Sequence, residues 1–67
     1  MYILTEDAKK ELLYFKLGAV ASEVGINYDT LSKMIKQNKP CIKLTAYAIT
    51  KFLSSEKEIT DYFIRKE

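Results

Sequence analysis

LGAVASEVGINYDTLSKMIKQ, residues 17–37, is the stretch around which the chain is organised. Val20, Ala21 and Val24 share one side of a helix spanning residues 17–24. Gly25 stops that helix, because glycine enters a left-handed conformation with no Cβ penalty. Asn27 stands where an N-cap belongs, and a further helix over 28–37 follows with Leu31, Met34 and Ile35 on its inner face. Ala21 lies four residues before Gly25, where a crossing helix leaves room only for a small side chain. Ile26 plugs the gap under the turn. The two helices then meet near a right angle, and the outer face of the second stays free.

Working outward, Thr5 is an N-cap with Glu6 and Asp7 in the first turn, where carboxylates favour the positive helix end. Ala8, Leu12 and Phe15 recur at i, i+4 and i+7 with Leu13 beside them, so the first helix spans 5–15. Gly18 has two readings: inside the second helix, at about 1 kcal/mol relative to Ala, or as the cap of the first. Asn38-Lys39-Pro40 ends the third helix, since the residue before Pro is pushed out of the helical region. Leu44, Tyr47, Ala48 and Phe52 form a fourth stripe, adjoined by Ile49 and Leu53. Ser54-Ser55 breaks it. Ser55 and Glu58 are spaced as a capping box for a fifth helix over 55–66 that holds Ile59, Tyr62 and Phe63. Tyr2-Ile3-Leu4 reads as an extended arm or an edge strand. The expected fold class is all-α: one domain over 1–67, a compact five-helix bundle with no internal repeat.

Composition narrows the chemistry. The chain has 67 residues, 48% of them hydrophobic, which suffices for one small core. With no His, imidazole acid–base chemistry and His metal ligation are excluded. The single Cys41 excludes an internal disulfide and a cysteine zinc site, and reads as a small buried apolar residue. No apolar run reaches the roughly 20 residues of a membrane span. MYILTED lacks the features of a signal peptide, and a reducing cytoplasm is the expected location. Neither cofactor nor metal is expected, and no enzymatic activity.

The net charge of +2 conceals an asymmetry. Residues 1–32 carry three lysines against five acids, and residues 52–67 three basic residues against four acids. Between them, residues 33–51 carry Lys33, Lys36, Lys39, Lys43 and Lys51 and no acid, a local +5 suited to phosphate.

The central stretch resembles the helix-turn-helix of bacterial and phage regulators, the Cro and phage-repressor family. A small residue, Gly four later, an apolar residue next, then apolar positions five and eight further on are present as Ala21, Gly25, Ile26, Leu31 and Met34. The signature covers residues 17–37, and the helix order fits the lambda-repressor-like bundle over the whole chain. In one respect the chain departs from the pattern. Leu17, Gly18 and Ala19 occupy a turn where such proteins often hold a phosphate with a polar residue, which leaves that contact to backbone N–H groups or Lys16.

The resemblance implies a major-groove reader of double-stranded operator DNA. Tyr28, Asp29, Ser32 and Lys33 fall to base edges: Lys33 to guanine, Asp29 to cytosine N4, the Tyr28 ring to a thymine methyl. Two alternatives stay open, since Asp29 also suits the first helical turn and Tyr28 also packs sideways on its own domain. Asn27, Lys36, Asn38, Lys39 and Lys43 fall to phosphates. Such proteins bind as homodimers on half-sites about 34 Å apart. Ile59, Tyr62 and Phe63 are candidates for the dimer contact, or else close the core. The expected function is a transcriptional regulator that blocks a promoter sterically. The alternatives are an excisionase-like or antitoxin DNA-binding factor, and a protein-binding module such as an antirepressor or inhibitor.

Overall fold

Thr5 begins the first helix and also ties together the two ends of the chain. In the computed structural model, which describes residues 1–66, Thr5 is extended and its Oγ1 accepts from the Ala8 N–H at 3.2 Å. The same hydroxyl donates to the Tyr62 carbonyl at 3.1 Å, and the Thr5 N–H donates to it at 3.0 Å. α1 (Glu6–Leu12) follows and buries Ala8 and Leu12. It ends three residues before the expected Phe15. The N–H groups of Tyr14 and Phe15 reach back only three residues, to Glu11 and Leu12, so the chain tightens and leaves the helix. Phe15 therefore lies outside the inner stripe.

α2 (Leu17–Val24) and α3 (Tyr28–Lys36) match the expected helices within one residue. Gly18 lies inside α2. Gly25 is left-handed at φ 84°, and the N–H groups of Gly25 and Ile26 both donate to the Ala21 carbonyl, at 2.8 and 3.0 Å. Asn27 is the N-cap by backbone position, but its side chain makes no capping bond. Leu31, Met34 and Ile35 are buried. α3 leaves through Asn38 at φ 53°, a left-handed residue that Asn tolerates better than most.

α4 (Lys43–Leu53) corrects the expected stripe. Its buried residues are Ala46, Ile49 and Thr50, while Leu44 and Tyr47 are exposed. The helix is apolar almost all round, so periodicity alone allows two inner faces. The one chosen carries the small residues Ala46 and Thr50, which allow close approach to α2, its packing partner. The buried Thr50 hydroxyl is satisfied by donating to the Ala46 carbonyl at 2.8 Å.

The C-terminal segment adds a strand pair to the expected helices. α5 is a single turn, Ile59–Tyr62, where a helix over 55–66 was expected. Its cap lies three residues beyond Ser55: the Glu58 N–H donates to Asp61 Oδ2 at 2.8 Å. Phe63–Arg65 then forms a strand, β2, antiparallel to β1 (Tyr2–Leu4), with Leu4 opposite Phe63. Leu4 and Phe63 face the core, and Ile64 faces out. Among the described residues the fold is thus mostly helical, with the five helices expected, and it carries a two-stranded sheet besides. Tyr2-Ile3-Leu4 is a paired strand, and its Tyr2 also exchanges two 2.8 Å hydrogen bonds with Cys41 on the other side. The radius of gyration is 10.4 Å, against roughly 11 Å for a folded chain of this length. No helix among the described residues is long and apolar enough to cross a membrane.

Cys41 is buried between β1 and α4, and burial pushes its thiol from 9.0 up to about 11, against a smaller opposing pull from the N-terminal ammonium. The folded state therefore keeps a proton that the unfolded state releases, so stability falls as pH rises from 9 through 11. Unfolding followed across that range is expected to show this loss, and Cys41→Ala to reduce it. The two glycines test the turn. Each has open space where a Cβ would stand. Gly25→Ala is expected to destabilise by about 1–2 kcal/mol through backbone strain alone. Gly18→Ala, inside a helix, is expected to stabilise by about 0.5–1 kcal/mol. Urea unfolding with both changes in the same direction would contradict the turn assignment.

Candidate nucleic-acid interface

α3 is held from behind. Leu31, Met34 and Ile35 lock it into the core, and the half-buried Val24 and Ile26 pack beside them. Helical spacing places Asp29, Lys33 and Lys36, at i, i+4 and i+7, on the line directly opposite that buried face. All three are exposed, as are Tyr28, Thr30 and Gln37 on the flanks. Ser32 is only half-buried and sits at the edge of the face rather than at its centre. Tyr28, 53% exposed, leaves a large part of its ring to solvent at the N-terminal end. The four residues read as base contacts thus lie on one helix, with Asp29 and Lys33 foremost.

Asp29 and Lys33 have the spacing of a favourable helical ion pair. They do not form one: among the described residues Glu6–Lys9, at 2.9 Å, is the pair at ion-pair distance. Lys33, Lys36, Lys39 and Lys43 are exposed. Together they run from the outer face of α3 along the link to the start of α4.

Two members of the expected phosphate set and its surroundings are engaged otherwise. Asn38 Oδ1 accepts a hydrogen bond from Lys9 Nζ, which ties α1 to the end of α3. Lys51 Nζ donates to the Lys57 carbonyl at 2.8 Å and the Ser55 carbonyl at 3.3 Å, and sits 5.5 Å from the Tyr47 ring centroid. Lys51 therefore fixes the segment after α4, and the basic run of five presents four outward ammonium groups. A charge tally could not find this, since it is blind to carbonyls six residues away. Asn27 is exposed with its side chain free of any cap.

The expected dimer residues lie elsewhere. Tyr62 and Phe63 are buried within the chain, 6% and 2% exposed, and Ile59 packs against the same core. Tyr62 and Phe63 thus fill the core of a single copy, with Ile59 half-buried against it. The Tyr62 hydroxyl donates to Glu11 Oε1 at 3.5 Å, and burial, then the Glu11 carboxylate, pushes its phenol above the ordinary range. Among the described residues there is no pocket and no group of three or more His, Cys, Asp and Glu side chains able to hold a metal. No family model, curated protein or solved structure matches the chain.

Proposed function

We propose that this chain is a sequence-specific DNA-binding transcriptional regulator of the helix-turn-helix type, a small cytoplasmic protein of phage or mobile-element kind. One observation carries the reading. α3 is anchored by three buried side chains behind a tight glycine turn, and its free face continues into four outward lysines. A rigid helix with a basic flank suits the major groove, which is about 12 Å wide. Lys33 donates to guanine O6 or N7, Asp29 accepts from cytosine N4, and Tyr28 covers a thymine methyl. Ser32 reaches the groove from the edge. Asn27, Lys36, Lys39, Lys43 and the remaining donors of Asn38 hold the backbone on either side.

One copy measures 27 Å in its longest direction. Half-sites one helical turn apart are separated by about 34 Å, so two copies side by side fit a two-part operator. A bound pair blocks a promoter by occupying it. The acid at the centre of the reading face favours a second reading, a protein-binding module on the same scaffold, because a carboxylate there repels phosphate.

Selection of bound sites from random DNA separates the two. A palindrome with one-turn spacing is expected, and recovery of random sequence contradicts DNA reading. On the selected site, Lys33→Ala and Ser32→Ala are expected to weaken binding by about five- to a hundredfold, the worth of a good base contact. Changes within twofold for both contradict the assignment of the face.

A further inference from the structure

Lys9, on α1, is turned inward. Its side chain is only 13% exposed, against 82% for Glu6, its ion-pair partner at 2.9 Å. The same ammonium donates to Asn38 Oδ1 at the exit of α3. Burying an ammonium is costly unless it is paired and hydrogen-bonded, and the two oxygens meet that demand. The contact also fixes which end of the Asn38 amide faces out. An ammonium has donors only, so it takes the amide oxygen, and the NH2 group turns to the other side. Asn38 is exposed, and among the described residues its Nδ2 has no acceptor. Its donors thus face solvent between the outward Lys36 and Lys39 in the sequence. The backbone beneath is held by other bonds. The Lys39 N–H donates to the Lys33 carbonyl at 3.4 Å, and Cys41 is paired with Tyr2. Lys9 therefore governs the Asn38 side chain rather than the path of the chain.

We infer that Lys9 is a positioning residue for DNA binding: held by Glu6, it presents the Asn38 NH2 group to a phosphate at the end of α3. This role rests on the DNA reading above and adds to it a residue that itself touches no DNA. Two effects operate. The first is pre-organisation. An exposed amide otherwise rotates and turns over, and fixing it beforehand removes an ordering cost from binding. The second is polarisation. A cation on the amide oxygen draws electron density from the nitrogen, so its N–H groups donate more strongly to an anion. Glu6 keeps the Lys9 ammonium on the protein, so it does not compete with Asn38 for the same phosphate.

The test is a titration of the full chain with a duplex carrying the selected site, at several salt concentrations. Glu6→Gln combined with Lys9→Met removes one charge of each sign, so the net charge stays +2, and Met keeps the apolar stem of the lysine. This double variant is expected to bind about three- to tenfold more weakly, the worth of one side chain ordered in advance. The slope of log affinity against log salt is expected to stay unchanged, because the Asn38 amide is neutral and releases no counterion. Lys9→Arg keeps the charge and the donor, and is expected to bind within about twofold of the original chain. Asn38→Gly keeps the left-handed exit and is expected to weaken binding at least as much as the double variant. Adding the double change to Asn38→Gly is then expected to cost nothing more, since Lys9 acts only through Asn38. A slope shallower by about 0.9 in the double variant shows that a phosphate-bound lysine has been displaced, and overturns positioning in favour of a structural brace. Binding by the double variant within about twofold of the original chain, while Lys36→Ala still weakens it, overturns the role of Lys9 and leaves DNA reading intact. An original chain that binds no DNA overturns both.

Discussion

The Ala21 carbonyl accepts two N–H groups, from Gly25 and Ile26, and the rest of the molecule depends on that convergence. It holds only while Gly25 stays left-handed, a conformation that costs other residues about 1–2 kcal/mol. The turn sets how α3 leaves α2. That direction puts Leu31, Met34 and Ile35 into the core and leaves Asp29, Lys33 and Lys36 in water. A turn that opened would rotate the helix and mix its buried and exposed faces. The chemistry proposed for α3 is therefore a consequence of backbone conformation three residues before it starts.

A second constraint fixes where the basic run goes after α3. β1 is bonded on both sides, to β2 along the chain terminus and to Cys41 in the α3–α4 link. Cys41 is thus pinned, and Lys39 and Lys43 stand on either side of a fixed point rather than on a loose loop. The Thr5–Tyr62 bonds close the other end of the same strand. A chain this short has a marginal core. Leu4, Tyr62 and Phe63 matter to it because they add apolar volume from both termini at once.

The central motif was legible because several independent local signals agree there. Ala21, Gly25 and Ile26 specify one turn, and the apolar positions on both sides have a single helical phase. The basic run was legible as charge but not as geometry, since Lys51 and Asn38 have partners that sequence spacing does not reveal. α4 misled for the opposite reason. It has apolar residues on two faces, and the larger ones, Leu44 and Tyr47, suggested the wrong side. The inner face was chosen by close packing of Ala46 and Thr50 on α2, a tertiary effect. The C-terminal segment misled because Ile59, Tyr62 and Phe63 fit a helical stripe as well as a turn followed by a strand. Its pairing partner, β1, lies some sixty residues away, and local periodicity carries no trace of it. That pairing turned an expected dimer helix into part of the core.

In the proposed function, the outward face of α3 and the lysines after it neutralise DNA phosphates. The salt dependence of DNA affinity measures this most directly. Each phosphate neutralised contributes about −0.9 to the slope of log affinity against log salt. With Lys33 on a base, and Lys36, Lys39 and Lys43 on the backbone, a slope of about −3 per bound copy is expected. A slope near zero, or no binding at low salt, would contradict it.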